Sequence, residues 1–287
     1  MNEKCMNLTK IKSIKDEFEH MFDGKELYAK LNDKNIISDL KIRYEDDEKV
    51  IFGVRRSQYK ITIPKKVTPE ITYLAGAIAG DGCFYYYQNP KKNYPNIRLA
   101  ITGSEDTYLK LLNELFIKSF SVGGYIHKEK NKQSCYNLLV NHRIIWLYFR
   151  RVLELNKKKL NIPKEIINQK LFRFFLAGFF DTDGYFSNRG IFGTMISSRN
   201  QLFLNQLTGY SKELYNFEFS PVRINILKRN EKEFKRAYTR LKKKDSSRFI
   251  SIVPLINKKY EWARAGSNRG SSLFRLLGKG GPKPPPS

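Results

Sequence analysis

Leu74–Gly82 reads LAGAIAGDG, and Leu176–Gly184 reads LAGFFDTDG. Each stretch opens with apolar and small residues that favour a helix, and each closes with Asp-Gly, where a helix can end and the chain can turn. In the first stretch the small residues recur three and four positions apart, so one side of that helix allows another helix to approach closely. Because the pattern occurs twice, it indicates an internal repeat, and the repeat predicts the fold.

The sequence on either side of the two stretches repeats as well. Ile-Pro-Lys precedes each of them, at Ile63–Lys65 and at Ile162–Lys164. Asn-Lys-Lys follows each of them, at Asn156–Lys158 and at Asn257–Lys259. One such match is common by chance in a lysine-rich chain, but three matches in the same order and at nearly equal spacing indicate two copies of one unit.

The repeat divides the chain into four predicted regions. Residues 61–165 form the first half, residues 166–270 the second half, residues 1–60 an N-terminal accessory region, and residues 271–287 a disordered tail rich in Gly, Pro and Lys. Each half is predicted to contain a helix, two strands, a helix, two strands and a helix. The fold class is therefore α+β, with two pseudo-symmetric αββαββα halves built on antiparallel sheets. The accessory region has two open interpretations, a DNA-contacting module or a support for the main domain.

The individual elements follow from residue periodicity and turn signals. In the accessory region we predict helices at Ile14–Phe22 and Lys25–Leu31 and strands at Leu40–Tyr44 and Lys49–Val54. In the first half we predict strands at Cys83–Gln88 and Ile97–Thr102, a helix at Glu105–Phe120, strands at Tyr125–Lys130 and Tyr136–Val140, and a helix at His142–Leu155. In the second half we predict strands at Tyr185–Ser187 and Ile191–Met195, a helix at Arg199–Tyr215, and strands at Val222–Lys228 and Phe249–Val253.

The charge balance points to a polyanionic partner. Fifty-three Lys and Arg residues oppose 28 acids, which gives a formal net charge of +25. Such a chain attracts nucleic acid, because phosphate contacts release condensed counterions; an anionic membrane surface is the competing partner. The sequence contains no apolar run long enough to span a membrane. Cys5, Cys83 and Cys135 form no CxxC pair and no zinc set, which favours an intracellular location, cytoplasmic or organellar, over secretion.

The two Asp-Gly ends carry the predicted chemistry. If the two helices pack side by side in parallel, Asp81 and Asp183 come close together at one edge of their interface. Two neighbouring carboxylates repel each other unless a cation neutralises them. Among hard divalent cations that take oxygen ligands, Mg²⁺ is the first candidate for such a pair. A carboxylate pair that binds Mg²⁺ beside a basic surface suits phosphodiester hydrolysis. The predicted metal site comprises Asp81 and Asp183 with the residues that precede them, Gly80 and Thr182.

Leu74–Gly82 and Leu176–Gly184 resemble the two signature motifs of the LAGLIDADG homing endonucleases, and the resemblance covers most of the chain. In this family the eighth motif position holds the metal-binding acid, which corresponds to Asp81 and Asp183. Asp181 occupies the sixth position, where acids are frequent but are not the usual metal ligand. The first motif departs from the family pattern, since Ala-Gly at positions 79 and 80 replaces the usual Asp-Ala.

The resemblance implies a function as well as a fold. It implies a monomer whose two halves form a saddle over double-stranded DNA, and Mg²⁺-dependent cleavage of both strands across the minor groove at a long recognition site, leaving short 3′ overhangs. The family also places a basic residue, often lysine, near the active centre late in each half. The Asn-Lys-Lys matches then assign this role to Lys157 or Lys158 in the first half and to Lys258 or Lys259 in the second; alternatively, all four are ordinary surface lysines.

Candidate DNA-contacting residues follow from strand alternation, because residues two apart share a face. They are aromatic, polar or basic side chains on predicted strands and hairpins: Tyr85, Tyr87, Lys91, Lys92, Arg98, Lys128 and Lys130 in the first half, and Tyr185, Ser187, Arg189, Arg223 and Lys228 in the second. Each of the basic residues also has the simpler interpretation of a solvated surface charge.

Four other functions compete with DNA cleavage. An intron RNA maturase, which would add intron RNA as a partner, and a non-cleaving DNA-binding regulator would both use the same fold. The presence of both eighth-position acids favours cleavage and is compatible with an added maturase role. A complete intein is disfavoured by the initial Met and by the lack of a His-Asn end. A passive basic RNA-binding protein would leave the paired motif unexplained.

Overall fold

The computed structural model describes residues 21–37, 39–54, 60–88, 95–129, 134–156, 160–186, 194–229 and 232–257. The described part of the accessory region forms helix α1 (Gly24–Leu31) and strands β1 (Leu40–Glu45) and β2 (Lys49–Val54). These bounds agree with the predicted helix and strands. The β1–β2 turn is held by the Asp46 carboxylate, which accepts hydrogen bonds from the backbone N–H groups of Glu48 and Lys49 at 2.9 and 2.8 Å.

The accessory region is joined to the first half by a shared sheet and a shared core. Strand β3 (Lys60–Pro64) pairs antiparallel with β2, so that the predicted boundary after residue 60 falls inside a strand. Of the helix predicted at Ile14–Phe22, only Met21 and Phe22 are described, and Met21 forms an isolated bridge with Lys66 instead of a helical turn. The described N-terminal residues are therefore continuous with the first half through this sheet and core.

The first half follows the predicted order of elements. Helix α2 (Pro69–Asp81) leads into β4 (Gly82–Tyr87) and β5 (Asn96–Gly103), then helix α3 (Asp106–Phe120), strands β6 (Tyr125–Lys128) and β7 (Tyr136–Val140), and helix α4 (Arg143–Leu147). The four strands form an antiparallel sheet in the order β4-β5-β7-β6. The helix predicted at His142–Leu155 begins at Arg143 as α4 and continues as a π-helical turn over Tyr148–Val152, after which the chain leaves the helix.

The second half repeats this arrangement. Helix α5 (Gln169–Asp183) leads into β8 (Gly184–Tyr185) and β9 (Met195–Ser198), then helix α6 (Gln201–Tyr215), strands β10 (Arg223–Arg229) and β11 (Lys232–Arg240), and helix α7 (Ser246–Ile252). The sheet order is β8-β9-β11-β10, which is the same as in the first half when equivalent strands are compared. The α+β fold with two pseudo-symmetric αββαββα halves is thereby confirmed.

The strands of the second half differ from the prediction in two places. Phe249–Val253 is predicted as a strand, but most of it belongs to helix α7, in which Phe249 packs on Phe180 and Phe217 with ring centroids 5.2 and 5.5 Å apart. Strand β11 is missed, because its charged sequence KEFKRAYTR hides the alternation of a strand. Strand β9 spans Met195–Ser198, and residues 191–193 of the strand predicted at Ile191–Met195 lie outside the described residues.

Helices α2 and α5 pack against each other along their lengths, and glycine makes this close approach possible. A Cβ atom on Gly76 would lie 2.1 Å from the carbonyl oxygen of Phe175, and a Cβ on Gly178 would lie 2.1 Å from that of Tyr73. Any larger residue at either position would therefore collide with the backbone of the partner helix. Both contacts join equivalent levels of the two helices, so the helices run parallel and their C-terminal ends meet. This confirms the parallel packing expected from the small residues.

The aromatic residues of α5 lie in the core. Phe175 and Phe179 are fully buried and contact Phe203 of α6 edge-to-face, with centroids 6.2 and 5.0 Å apart. In the first half, the apolar face of α3, formed by Leu109, Leu112, Leu115 and Phe116, is completely buried. Within the described residues, all helices are too short or too polar to cross a bilayer.

Candidate active site

The candidate active site lies where helices α2 and α5 end side by side. Asp81 is the last residue of α2 and Asp183 the last residue of α5, and in both cases the following glycine is extended and starts a strand. A Cβ placed on Gly80 would lie 2.0 Å from the Thr182 hydroxyl oxygen and 3.4 Å from Oδ2 of Asp183. The residue that precedes Asp81 thus lies next to the carboxylate of Asp183. Both aspartates are partly buried.

The electrostatics of this position favour a cation. A helix carries partial negative charge at its C-terminal end, where the last carbonyl groups lack intrahelical partners. Here two such ends coincide with two carboxylates, and residues 78–81 and 180–183, the last turns of the two helices, contain no basic side chain. Within the described part of the chain there is no group of three or more His, Cys, Asp and Glu residues that could bind a metal. A pair of carboxylates supplemented by carbonyl and water oxygens fits Mg²⁺, which retains several of its waters in proteins.

Arg236 of β11 is a site residue that sequence reasoning missed. Its Nη2 atom lies 3.5 Å from Oδ1 of Asp183, and its Nε–H donates a hydrogen bond to the hydroxyl of Ser197 at 3.0 Å. The side chain is 44% exposed and that of Asp183 21%, so the pair is accessible from solvent. The alternation of Phe234, Arg236 and Tyr238 along β11 is the signal that would have identified it, had this segment been recognised as a strand.

A cleft of about 480 Å³ opens beside Asp183 on the second sheet. Its wall combines the end of α5 with residues from all four strands, and most of its side chains are polar, basic or aromatic. They are Thr182, Asp183, Gly184, Tyr185, Met195, Ser197, Asn225, Leu227, Arg236, Tyr238 and Arg240. Tyr185 is the predicted DNA-contacting residue that lies in this cleft, and Thr182 and Asp183 are the predicted metal-site residues there.

In the first half, strand pairing places several of the predicted DNA-contacting residues on one exposed face of the sheet. Tyr85 pairs directly with Arg98 and shares its face with Tyr87; the two tyrosines are 54% and 61% exposed. The register continues through β7 to His127 of β6, which is also exposed on this face and was not predicted. We call this side of the first sheet, and the cleft-bearing side of the second, the open faces.

Two predicted lysines do not lie on the open faces. Lys128 pairs with Tyr136 on the side of the first sheet that packs on the helices, and its ammonium lies 5.7 Å from the centre of the Tyr136 ring. Lys228 forms an ion pair with Glu233 at 3.3 Å on the face opposite the cleft. Arg223 pairs with Tyr238 and shares the open face with Arg236. The sequence offers Lys128 and Lys228 as basic candidates on later strands, where no count from Asp81 or Asp183 fixes the face, and their contact with DNA stays a prediction.

The remaining predicted site residues lie outside the described residues. They are the candidate catalytic lysines Lys157, Lys158, Lys258 and Lys259 and the candidate DNA-contacting residues Lys91, Lys92, Lys130, Ser187 and Arg189. The described chain ends at Asn257, immediately before Lys258.

Comparison with known proteins identifies the fold. No protein-family model matches the chain. The structure of mesophilic variants of the homing endonuclease I-DmoI matches it with a TM-score of 0.50 at 21% identity, covering 71% of this chain and 99% of the variant. I-DmoI in complex with DNA and Mn gives a TM-score of 0.46 at 21% identity, covering 66% and 97%. Full-length DUF199/WhiA from Thermatoga maritima gives 0.43 at 16% identity, covering 73% and 64%. The chain therefore has the fold of the LAGLIDADG homing endonucleases.

Proposed function

We propose that this protein is a site-specific DNA endonuclease that hydrolyses both strands of a duplex with the help of a divalent cation, Mg²⁺ in the first place. The observation that carries the proposal is the meeting of the two Asp-Gly helix ends, with Asp183 packed beside Gly80. A fold shared with homing endonucleases and a net charge of +25 support it independently.

The side chains of the site have distinct proposed roles. Asp81 and Asp183 hold the cation; Gly80 and Thr182 contribute through backbone carbonyl oxygens, because the Thr182 hydroxyl donates to the carbonyls of Gly178 and Phe179 at 3.2 and 2.9 Å. When bound, the cation supplies charge stabilisation at the phosphate and promotes ionisation of the attacking water.

Arg236 completes the site on the side of the second half. Its guanidinium is close to Asp183 yet accessible from the cleft, so it can hold that carboxylate in place and present its remaining N–H groups to a phosphate. Ser197 fixes the orientation of the arginine through the hydrogen bond to Nε. The arginine thus adds positive charge where a phosphate would approach the cation site.

The open faces are the proposed DNA-binding surface. On the first sheet Tyr85, Tyr87 and Arg98 point to this side, and on the second Tyr185 and Arg223 do. Exposed arginines suit phosphate contacts, and tyrosines suit contacts within a groove. The sheets flank the two helix ends, so a duplex lying across both sheets would pass over Asp81 and Asp183.

The finer features of the reaction follow from the family resemblance and are proposed with it. They are cleavage across the minor groove at a long site, short 3′ overhangs, action as a monomer in intron homing, and a basic catalytic residue in each Asn-Lys-Lys segment. Lys157 or Lys158 would serve one half and Lys258 or Lys259 the other. Sequencing of the cut ends tests the overhang, and sedimentation of the protein–DNA complex tests the monomer.

The function is tested with a supercoiled plasmid as the substrate. The plasmid carries the DNA that flanks this protein's gene, joined without the intron or other inserted element that contains the gene. We expect the wild type to produce linear DNA in Mg²⁺ and none in EDTA, and Asp81→Asn and Asp183→Asn to produce none while still binding the plasmid. Asp47→Asn is the matched control, because Asp47 lies exposed in the β1–β2 turn and undergoes the same change of charge. It should cut as the wild type does.

Other outcomes would reassign the protein. Salt-sensitive binding without cutting in Mg²⁺ or Mn²⁺ would identify a non-cleaving regulator. Binding without cutting, combined with faster splicing of an intron transcript in the presence of the protein, would identify a maturase. Cleavage that persists at the wild-type rate in Asp183→Asn would show that the two helix ends are not the catalytic centre.

A further inference from the structure

Asp181 is buried two residues before Asp183 and makes hydrogen bonds that join distant parts of the chain. Asp181 is only 1% exposed. Oδ2 accepts three hydrogen bonds: from the Tyr73 hydroxyl at 2.5 Å, from the Ile256 N–H at 2.7 Å and from the Asn257 N–H at 3.3 Å. The Asn257 side chain also donates to the Asp181 carbonyl at 3.1 Å. One carboxylate thus connects α2, α5 and the segment that follows α7.

The first half has no such carboxylate at the equivalent position. The counterpart of Asp181 is Ala79, and the counterpart of Tyr73 is Phe175, so that an apolar pair replaces a polar one. The counterpart of Ile256 is Leu155, whose N–H donates to the carbonyl of Phe149 in the π-helical turn at 2.9 Å. The same segment is therefore held by a backbone carbonyl in the first half and by the Asp181 carboxylate in the second.

This difference makes the second half dependent on one side chain. Leu255, Ile256 and Asn257 are buried, and a buried N–H without an acceptor is unfavourable. Without the carboxylate, the N–H groups of Ile256 and Asn257 would both lose this acceptor. Residues 258 and 259, the lysines of the second Asn-Lys-Lys segment, follow directly in the sequence.

We infer that Asp181 is a positioning residue for the second half alone: it fixes the chain ahead of Lys258 against the end of the helix that carries Asp183. The inference rests on the proposed endonuclease function. If the Asp181 carboxylate were removed, the first half would keep its geometry, because the Leu155 N–H donates its hydrogen bond to a backbone carbonyl. One strand of the duplex should then be cut at the normal rate and the other slowly, so that nicked DNA accumulates.

The test uses a double variant that gives the second half the apolar pair of the first. Tyr73→Phe with Asp181→Ala reproduces the Phe175 and Ala79 arrangement, which suits a buried helix interface. On the supercoiled plasmid we expect the first nick at the wild-type rate and the second cut slower on the order of 10- to 100-fold. Tyr73→Phe alone is the control, because it leaves the hydrogen bonds from the Ile256 and Asn257 N–H groups to Asp181 in place. This variant should cut both strands normally. Tyr73→Phe with Asp181→Leu, which fills the space of the carboxylate without an acceptor, replaces the first double variant if it does not fold.

Hydrogen exchange provides a readout that does not depend on cleavage. The Ile256 and Asn257 amides should exchange faster in the double variant, on the order of 10-fold or more, whereas the Leu155 amide should not change. The positioning role would be overturned if the double variant cut both strands equally slowly. It would also be overturned if the variant accumulated no nicked DNA and its Ile256 and Asn257 amides exchanged at the wild-type rate. Either result would leave the endonuclease function standing. A wild type that binds the plasmid in Mg²⁺ without cutting it would overturn the endonuclease function and the positioning role with it.

Discussion

Gly80 and Thr182 occupy the seventh position of their motifs and face each other across the α2–α5 interface, where a Cβ on Gly80 would lie 2.0 Å from Oγ1 and 2.9 Å from Cβ of Thr182. One motif has a smaller residue than alanine at this point, and the other a larger one. The departure of the first motif from the family pattern is thus compensated in the second, and the combined volume at the contact is shared unequally between the halves.

Gly80→Ala should destabilise the protein by about 1–3 kcal/mol, because the Thr182 side chain is too short to move away from the added methyl group. Thr182→Ala alone should cost about 1 kcal/mol through lost packing. We expect the double variant to lose less free energy of unfolding than the two single variants lose together, by at least about 1 kcal/mol, because two alanines restore the volume at the contact. Urea unfolding of the four proteins measures this coupling, and additive effects would show that the two residues do not compensate each other.

Gly178→Ala and Gly209→Ala should have opposite effects on stability, although the substitution is the same. A Cβ on Gly178 would lie 2.1 Å from the Tyr73 carbonyl oxygen, whereas a Cβ on Gly209, on the exposed side of α6, meets no atom within 4 Å. We expect Gly178→Ala to cost about 3 kcal/mol or more and Gly209→Ala to add about 0.5–1 kcal/mol through helix propensity. Thermal unfolding compares the two. A Gly178→Ala protein as stable as the wild type would contradict the close helix contact.

Much of the fold could be predicted from the sequence because its main signals are local or repeated. The bounds of β7 agree residue for residue, and the apolar face of α3 over Leu109–Phe116 identifies it as a helix. The errors lie where tertiary contacts outweigh the local pattern. Phe249–Val253 has the apolar, β-branched composition of a strand, yet α7 forms because Phe249 packs between aromatic residues of distant elements.

The candidate site could be predicted only as far as the repeat reaches. Asp81 and Asp183 follow from the doubled motif, and the structure places their helix ends side by side. Arg236 was missed since β11 was not recognised as a strand. The hydrogen bond between Ile256 and Asp181 joins residues 75 positions apart, and no local pattern encodes such a contact. Alternation counted from Asp81 places Tyr85 and Tyr87 on one face, as the pairing of β4 shows, whereas no such count fixes the faces of Lys128 and Lys228.

Arg236→Gln should slow DNA cleavage on the order of 100-fold while leaving the fold intact, because the side chain is exposed but lies beside Asp183. Lys235→Gln is the matched control: it removes the same charge from the same strand, but Lys235 faces away from the cleft. We expect both variants to lose similar, small amounts of non-specific DNA affinity. Single-turnover cleavage separates the two roles. Equal cleavage rates for the two variants would mean that Arg236 acts only through general charge.

His142 should make the protein less stable below neutral pH. It lies at the start of α4, its Nδ1 atom is buried with no hydrogen-bond partner among the described residues, and burial lowers its pKa to about 4. The unfolded chain has the ordinary histidine pKa of about 6.5, so at intermediate pH the unfolded state binds more protons. The free energy of unfolding therefore falls as the pH is lowered through 6.5, by about 2 kcal/mol between about pH 7.5 and pH 5.

His142→Gln should remove this pH dependence, because glutamine does not titrate. Urea unfolding midpoints of both proteins across that range give the measurement. Both proteins contain the same carboxylates, including Glu218, whose pKa is lowered to about 2 by its bonds to Lys242 and Lys244, so the difference between the two slopes isolates His142. Equal slopes for the two proteins would show that His142 becomes protonated without leaving its buried position. A flat profile for the variant alone would assign the loss of stability to this one imidazole.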